Sequence, residues 1–557
     1  VSHHSEQDAK KLSRRRMLTA FGGVTAGVLF TDRAAAHGAP HTTPNAAAGG
    51  TPTPSALPRS SAFAGASARR SLSALPAGGV PSDPFRLGVA SGEPWPDSVV
   101  LWTRLAPEPL HGGGMPDQAV SVQWQVANDE RFTRVVAAGT ALARPGEAHS
   151  VHVEPEGLLP GREYFYRFRA GREISPVGRT RTAPARHARP ERLRVAVASC
   201  QHYQEGYFVA HRDLAEQDLD FVAFLGDYIY ETKPLTKGVR RHQGEGEART
   251  LADYRNRYAQ YKADPDLRAA HASCPWIVTF DDHEVANDWS GDQPRDPRKE
   301  SPTSFRARRA AALRAWYEHT PVRRTAAPRA GGIAAHRRFQ WGDLARIHVL
   351  DTRQHRSPRA KSPRDYTDPD RTMTGAAQER WLLDGLNGGR QLWNLLANQV
   401  PMARTDRRAG PEQHLWADPW DGFQAQRARL LKALGAPRVA NPVVLSGDRH
   451  FTMVCDLERD FDVPDSPVVA TEIVGTSMTS GGDQDQAAWH RQWDRIIAES
   501  PYWKYGDARR GYVVCDVDRQ RLLATLRVAS RVGDPDATVR ADRKFVVQAG
   551  QRGLDTA

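Results

Sequence analysis

Apolar positions along the chain fall into two regimes. From about Phe85 to Thr182 they come in short alternating or clustered runs: Val99–Thr103, Val120–Val126 and Tyr164–Phe168. Runs of this length and period predict β-strands. Leu159-Pro160-Gly161 is a turn leading into Tyr164, a placement similar to the tyrosine corner of immunoglobulin-like and fibronectin-type sandwiches. A β-sandwich over residues 83–183 is the expected first domain.

From Leu193 onward the pattern changes to solid apolar runs separated by helical stretches. Strands are expected at Leu193–Ala198, Phe221–Leu225, Trp276–Phe280, Ala345–Leu350, Trp393–Leu396, Pro442–Leu445, Val468–Ile473 and Tyr512–Val517. Helices are expected at Tyr207–Glu216, Thr250–Ala259, Ser304–His319, Ala376–Leu386 and Phe423–Leu434. Such alternation predicts a layered α/β domain, over residues 190–547, whose sheet is buried on both faces. Thr232 to Thr250 and Trp289 to Ser301 lack an apolar pattern and are expected as active-site loops.

Four of the apolar runs end in residue types that bind metal ions. Phe221–Leu225 runs through Gly226 into Asp227 and, three residues on, Tyr230. Val195–Ala198 ends in Ser199-Cys200. Trp276–Phe280 ends in Asp281-Asp282-His283-Glu284. Val443–Leu445 ends in Ser446-Gly447-Asp448-Arg449-His450. Layered α/β domains place their sites where strands pass into loops. Carboxylates on glycine-terminated strands are typical of dinuclear metallophosphoesterases, in which one Asp bridges two metals that hold the phosphate and activate the attacking water. Arg353, in Leu350-Asp351-Thr352-Arg353-Gln354, and Arg449 offer guanidinium forks for phosphoryl oxygens. His283 is the candidate proton donor to the leaving alkoxide. Read singly, each residue has a plainer role as a turn cap, a packed aromatic or an ion-pair partner; their joint placement favours the metal reading. His202, His211, His271, His348 and His414 read as structural or exposed, and Trp289, Trp416 and Trp420 as core or loop anchors.

Composition adds the cell context. Ser13-Arg14-Arg15-Arg16-Met17-Leu18, a weakly apolar stretch from Leu18 to Phe30 and the small residues up to Ala36 read as a twin-arginine export signal over residues 1–36. Residues 37–80, almost all Ala, Gly, Pro, Ser and Thr, read as a disordered linker. The formal net charge is +12, and the six basic and three acidic residues of the signal account for +3 of it. The remainder favours anionic substrates or surfaces, but no basic run interleaves with aromatics, so nucleic acid is not an expected partner. An export destination permits disulfides among Cys200, Cys274, Cys455 and Cys515. The strand-end position of Cys200 favours a thiolate ligand instead, and Cys455 and Cys515 read as buried.

Together these segments resemble the alkaline phosphatase D (PhoD-like) family of phosphatases and phosphodiesterases, over roughly Asp83 to Val547. The resemblance is carried by Phe85–Pro94, Val100–Arg104, Ala198–Gln201, Leu225–Glu231, Asp281–Val285, Leu350–Gln354, Asn398–Val400, Ser446–His450 and Gly475–Gly482 in that order. It implies an N-terminal β-sandwich followed by a calcineurin-like metallophosphoesterase αββα sandwich. It implies a centre of ferric iron (Fe3+) with calcium (Ca2+), with Mn2+ and Zn2+ as open alternatives. The family's ligands would fall on Cys200, Asp227, Tyr230, Asp281, Asp282, Asn287, Asp448 and His450. A thiolate and a phenolate on one ion suit ferric iron, and carboxylates suit calcium. Three positions depart from the family pattern: Ala286 precedes Asn287 where an acid is frequent, His355 replaces a common Tyr, and Arg449 occupies a position where small or apolar residues are frequent. The expected protein is a secreted or cell-envelope monomer that hydrolyses phosphodiesters and also monoesters. Phospholipase D action on phosphatidyl substrates is the alternative within the class. Its expected partners are a phosphate-ester substrate, the twin-arginine export machinery and an anionic lipid or cell-wall polymer surface. A non-catalytic polymer-binding protein and an iron–thiolate redox enzyme are the rivals from other classes.

Overall fold

The computed structural model describes residues 80–555, so the segment expected as an export signal and all of the expected linker but Val80 lie outside the described residues. Val80 packs on the core of the N-terminal sandwich.

Two large sheets form the body. The first has nine strands in the order Val539–Gln548, Arg521–Ala529, Gly511–Asp518, Arg192–Ala198, Phe221–Phe224, Pro275–Val278, Val89–Gly92, Val100–Arg104 and Ser150–Val153. The second has seven: Arg337–Trp341, Ala345–Val349, Trp393–Ala397, Pro442–Ser446, Val468–Val474, Thr452–Glu458 and Trp503–Asp507. Their inner faces pack together through alternate residues. Phe221, Ala223 and Leu225 point into this shared core with Ile347, Leu395 and Leu445, while Val222 and Phe224 point the other way. Burial on both faces explains why these strands read as unbroken apolar runs.

The outer face of the nine-stranded sheet is covered by helices Val209–Ala215, Leu251–Lys262, Pro265–Ser273 and Pro302–His319. The outer face of the seven-stranded sheet is covered by Gly375–Asn387, Gln424–Leu434 and Gln486–Ala498. The architecture is thus the expected αββα sandwich. Pro265–Ser273 and Gln486–Ala498 were not anticipated, although Asp264 caps the first with Pro265 at its opening position.

The N-terminal sandwich is not self-contained. Val120–Ala127, Val135–Ala143, Glu163–Ala170, Glu173–Ile174 and Gly178–Arg181 form a separate sheet. The sheet facing it is the end of the nine-stranded one, where Ser91 and Gly92 pair in parallel with Pro275 and Trp276. Hydrogen bonding therefore crosses the boundary expected between residues 183 and 190. The tyrosine corner is present: the Leu159 N–H donates to the Tyr164 hydroxyl oxygen at 2.8 Å.

One buried charge stands out in the helical layer. The Lys262 ammonium lies 4.1 Å from the Trp102 ring centroid and 5.6 Å from that of Tyr228. Burial pulls its pKa down to about 7. Between that value and the ordinary lysine range, the unfolded chain binds a proton that the folded chain lacks, so this residue makes stability rise with pH across that window. We expect Lys262→Met to stabilise the fold at pH 7 by on the order of 2–4 kcal/mol and to flatten the rise. Urea denaturation from pH 7 to 10 checks this; the same slope in both proteins would refute it.

Candidate metal centre

The donors converge where the central parallel strands of both sheets end. Phe224 is level with Ala198 and Val278, which puts the chain ends at Cys200, Asp227 and Asp281 side by side. Gly226 is obligatory there. Its φ is +120°, and a Cβ would lie 2.6 Å from the Asp281 backbone nitrogen. From the other sheet, Pro442–Ser446 delivers Asp448 and His450.

Cys200, Asp227, Asp448 and His450 all have left-handed backbones, with φ of +59°, +56°, +70° and +55°. Side chains other than glycine seldom sit there, and such outliers cluster at functional sites. Glu284, fully buried, holds the turn at Asp227 and ties it to the strand end at Asp281. Its carboxylate accepts from the N–H groups of Asp227 at 3.0 Å, Tyr228 at 2.6 Å and Asp281 at 2.9 Å. The sequence groups Glu284 with the metal-binding residue types of its run, whereas in the fold it serves the backbone of the donor turns.

Three donor clusters result, each with ligand atoms within 4.8 Å of one another: Cys200, Asp227 and His450; Asp227, Asp282 and His283; and Asp281, Asp282 and Asp448. Asp227 belongs to the first two and Asp282 to the last two. Tyr230 joins the first, its hydroxyl 2.9 Å from Asp227 Oδ2 and 3.2 Å from His450 Nε2. Tyr228, the other candidate phenol, points away to His271 at 2.7 Å. The Ser480 hydroxyl lies 2.7 Å from the Tyr230 oxygen and 2.8 Å from the Cys200 carbonyl, so it fixes both donors. Asn287 is positioned by its N–H on Glu231 Oε1 at 2.8 Å.

This donor set fits metal ions. Asp281 Oδ2, Asp282 Oδ1 and Asp448 Oδ2 are buried with no hydrogen-bond partner, and such oxygens are costly unless a cation meets them. Burial and neighbouring carboxylates push the Asp227 and Asp448 carboxyls well up. Burial, Asp227 and its own neighbours push up the Cys200 thiol and the Tyr230 phenol too. A multivalent cation reverses that balance for all four. Cys200 is a free thiol, as are Cys274, Cys455 and Cys515, all buried.

His283 is oriented by its neighbours. Its Nδ1 lies 2.7 Å from Glu231 Oε2, and its ring stacks on Tyr230 with centroids 4.2 Å apart. Burial alone would favour the neutral ring, but Glu231, Asp282 and Asp227 outweigh it and hold the pKa well above the ordinary value.

The two arginines expected to meet substrate are placed otherwise. Arg353 is fully buried, and its fork is taken: Asp418 accepts from both terminal nitrogens at 2.9 Å, and Asp281 from Nε at 2.5 Å. It orients a metal-site carboxylate, and each of its three nitrogens donates to a buried acid. Arg449 turns from the donors into an aromatic box, 5.0, 4.9 and 5.7 Å from the ring centroids of Trp416, Phe451 and Trp493. Trp289 and Trp420 are buried core residues, as expected, and His202 packs edge-on against Tyr230 at 4.3 Å. Asp418 was missed because nothing in Trp416-Ala417-Asp418-Pro419 marks it as an arginine partner 65 residues away.

Comparison with known proteins agrees with this geometry. Residues 195–526 match the model of the PhoD-like phosphatase family, and residues 72–184 match that of the PhoD-like phosphatase N-terminal domain. Alkaline phosphatase D of Bacillus subtilis (strain 168) is 45% identical over 485 residues, 85% of this chain and 82% of the relative. A solved structure of PhoD superposes with a TM-score of 0.82 at 44% identity, covering 85% of this chain and 92% of that one. With its strand-end donors, its αββα body and its N-terminal sandwich, the chain belongs to the PhoD-like phosphatase family and is a hydrolase.

Proposed function

We propose that the protein is an exported, metal-dependent phosphoesterase that hydrolyses phosphodiesters, and monoesters as well, by attack of water activated at the centre. The carrying observation is the trio of orphaned carboxylate oxygens among converging donor clusters. Cys200, Tyr230, Asp227 and His450 would hold ferric iron; Asp281, Asp282, Asn287 and Asp448 would hold calcium, with Asp227 shared. Bound there, such ions supply charge for the phosphoryl oxygens and acidify the attacking water.

The chain's own groups do the rest. Glu284 and Ser480 fix the turns that carry the donors. Arg353 keeps the Asp281 carboxylate aligned. His283, oriented by Glu231 through Nδ1, presents Nε2 to donate a proton to the leaving alkoxide. Export by the twin-arginine route belongs to this reading, on the Arg14-Arg15-Arg16 run.

The test is turnover measured side by side on bis-p-nitrophenyl phosphate, p-nitrophenyl phosphate and phosphatidylcholine, with elemental analysis of the same sample. Diester turnover exceeding the other two is expected. Absence of turnover in a metal-loaded sample would sink the reading, and phosphatidylcholine as the best substrate would replace it with phospholipase action. Cys200→Ser should lose most of its iron and keep its calcium; unchanged iron would make Cys200 a merely buried thiol.

A further inference from the structure

Two arginines from separate loops converge on one carboxylate oxygen beside the centre. Arg295, in the loop after Trp289, lies 3.3 Å from Asp288 Oδ2, and Arg359 lies 3.5 Å from the same atom. Asp288 is itself anchored to the centre, since its N–H donates to Asp282 Oδ2 at 2.7 Å. Its side chain is 6% exposed, while those of Arg295 and Arg359 are 52% and 37% exposed. Both contacts are longer than a charge-assisted hydrogen bond. Neither guanidinium hydrogen-bonds to any other described residue. The two forks therefore bring two positive charges and nearly all their donors to one spot, against a single carboxylate.

A groove of about 610 Å³ is lined by Tyr366, Arg407, Arg408 and His414, with Asp462 as its acid. Arg359 acts electrostatically on the Tyr366 phenol, opposing the rise that burial imposes. Arg353, by contrast, is fully buried with each of its nitrogens on a buried acid, whereas Arg295 and Arg359 are solvent-exposed.

We propose that Arg295 and Arg359 form an anion subsite beside the metal centre, which takes a second negatively charged group of the substrate while the centre holds the scissile phosphate. Asp288 is the positioning residue: it parks the two guanidinium groups and draws them together against their mutual repulsion. The preferred substrate is then a phosphoester bearing another phosphate or carboxylate within one side-chain length of the scissile bond. This rests on the hydrolytic reading above and names its substrate class.

A matched pair of probes tests it: thymidine 5′-(p-nitrophenyl phosphate) and the same ester carrying a 3′-phosphate. The wild-type, metal-loaded protein should show a KM about tenfold lower for the second, the scale of one charge-assisted contact. In the Arg295→Gln/Arg359→Gln double variant the two KM values should become equal, with kcat, metal content and turnover of bis-p-nitrophenyl phosphate unchanged. Calorimetric binding of thymidine 3′,5′-bisphosphate against thymidine 5′-monophosphate reads the same preference without turnover. A preference that survives in the double variant, or its absence from the wild type, overturns the subsite even if both esters are hydrolysed. A preference seen in binding and erased by the double variant, in a protein that hydrolyses neither ester, upholds the subsite and overturns the hydrolytic reading.

Discussion

Replacing Asp227 by alanine is expected to lower turnover by about 10⁴-fold and to remove most of the bound metal, since this carboxylate is common to two of the three donor clusters. Removing it takes one donor from the cluster with Cys200 and His450 and one from the cluster with Asp282 and His283 at once. Alanine has a further cost, because Asp227 sits at φ +56°. A left-handed alanine is strained by roughly 1–2 kcal/mol, whereas asparagine tolerates that conformation. Asp227→Asn therefore separates the two effects. It should melt close to the wild type, keep the Tyr230 hydroxyl bonded through its amide oxygen and still lose metal and activity. Metal analysis and kinetics on both variants decide the point; an asparagine variant that is fully loaded and fully active would end the bridging role.

Asp418→Ala is expected to be the most damaging substitution outside the donors. Asp418 accepts from both terminal nitrogens of Arg353 and, at 2.8 Å, from Arg356. The Arg353 and Arg356 side chains are 0% and 1% exposed. Truncation leaves two guanidinium groups buried with too few acceptors, a situation that costs about 3–5 kcal/mol. It also frees Arg353 to swing from Asp281, so metal affinity should fall with stability. Chemical denaturation checks the first and calcium titration the second. A loss below about 1 kcal/mol would mean that Asp281 alone satisfies Arg353.

Much of the fold was legible because the central strands are buried on both sides. Phe221–Phe224, Trp393–Ala397 and Pro442–Ser446 are buried throughout and almost wholly apolar, and each stops within a residue of where its run ends. The helix Gln486–Ala498 was readable in retrospect from Trp489, Trp493 and Ile496, spaced to share one face. The strand Arg521–Ala529 and its edge neighbour Val539–Gln548 were missed because charged residues interrupt the apolar pattern: Arg in the first, and Arg, Asp and Lys in the second. The donors were legible for the same reason as the strands: each follows a strand end that the pattern locates. The arginines were not. A guanidinium reaches far, and whether it meets substrate or a buried acid depends on Asp418 and Trp416, which only the folded chain brings near.

The shared edge between the two matched segments bears on how such proteins can be recombined. Val89–Gly92 lies against Pro275–Val278, the strand that leads to Asp281 and Asp282. Glu93, next along, takes Arg337 and the Arg323 N–H from the catalytic half. The N-terminal segment is thus a wall of the catalytic half, not a detachable appendage. Exchanging it between relatives would exchange the support of a ligand-bearing strand, so chimeras should inherit or lose activity according to whether the Ser91–Pro275 pairing and the Glu93 contacts are kept as one unit.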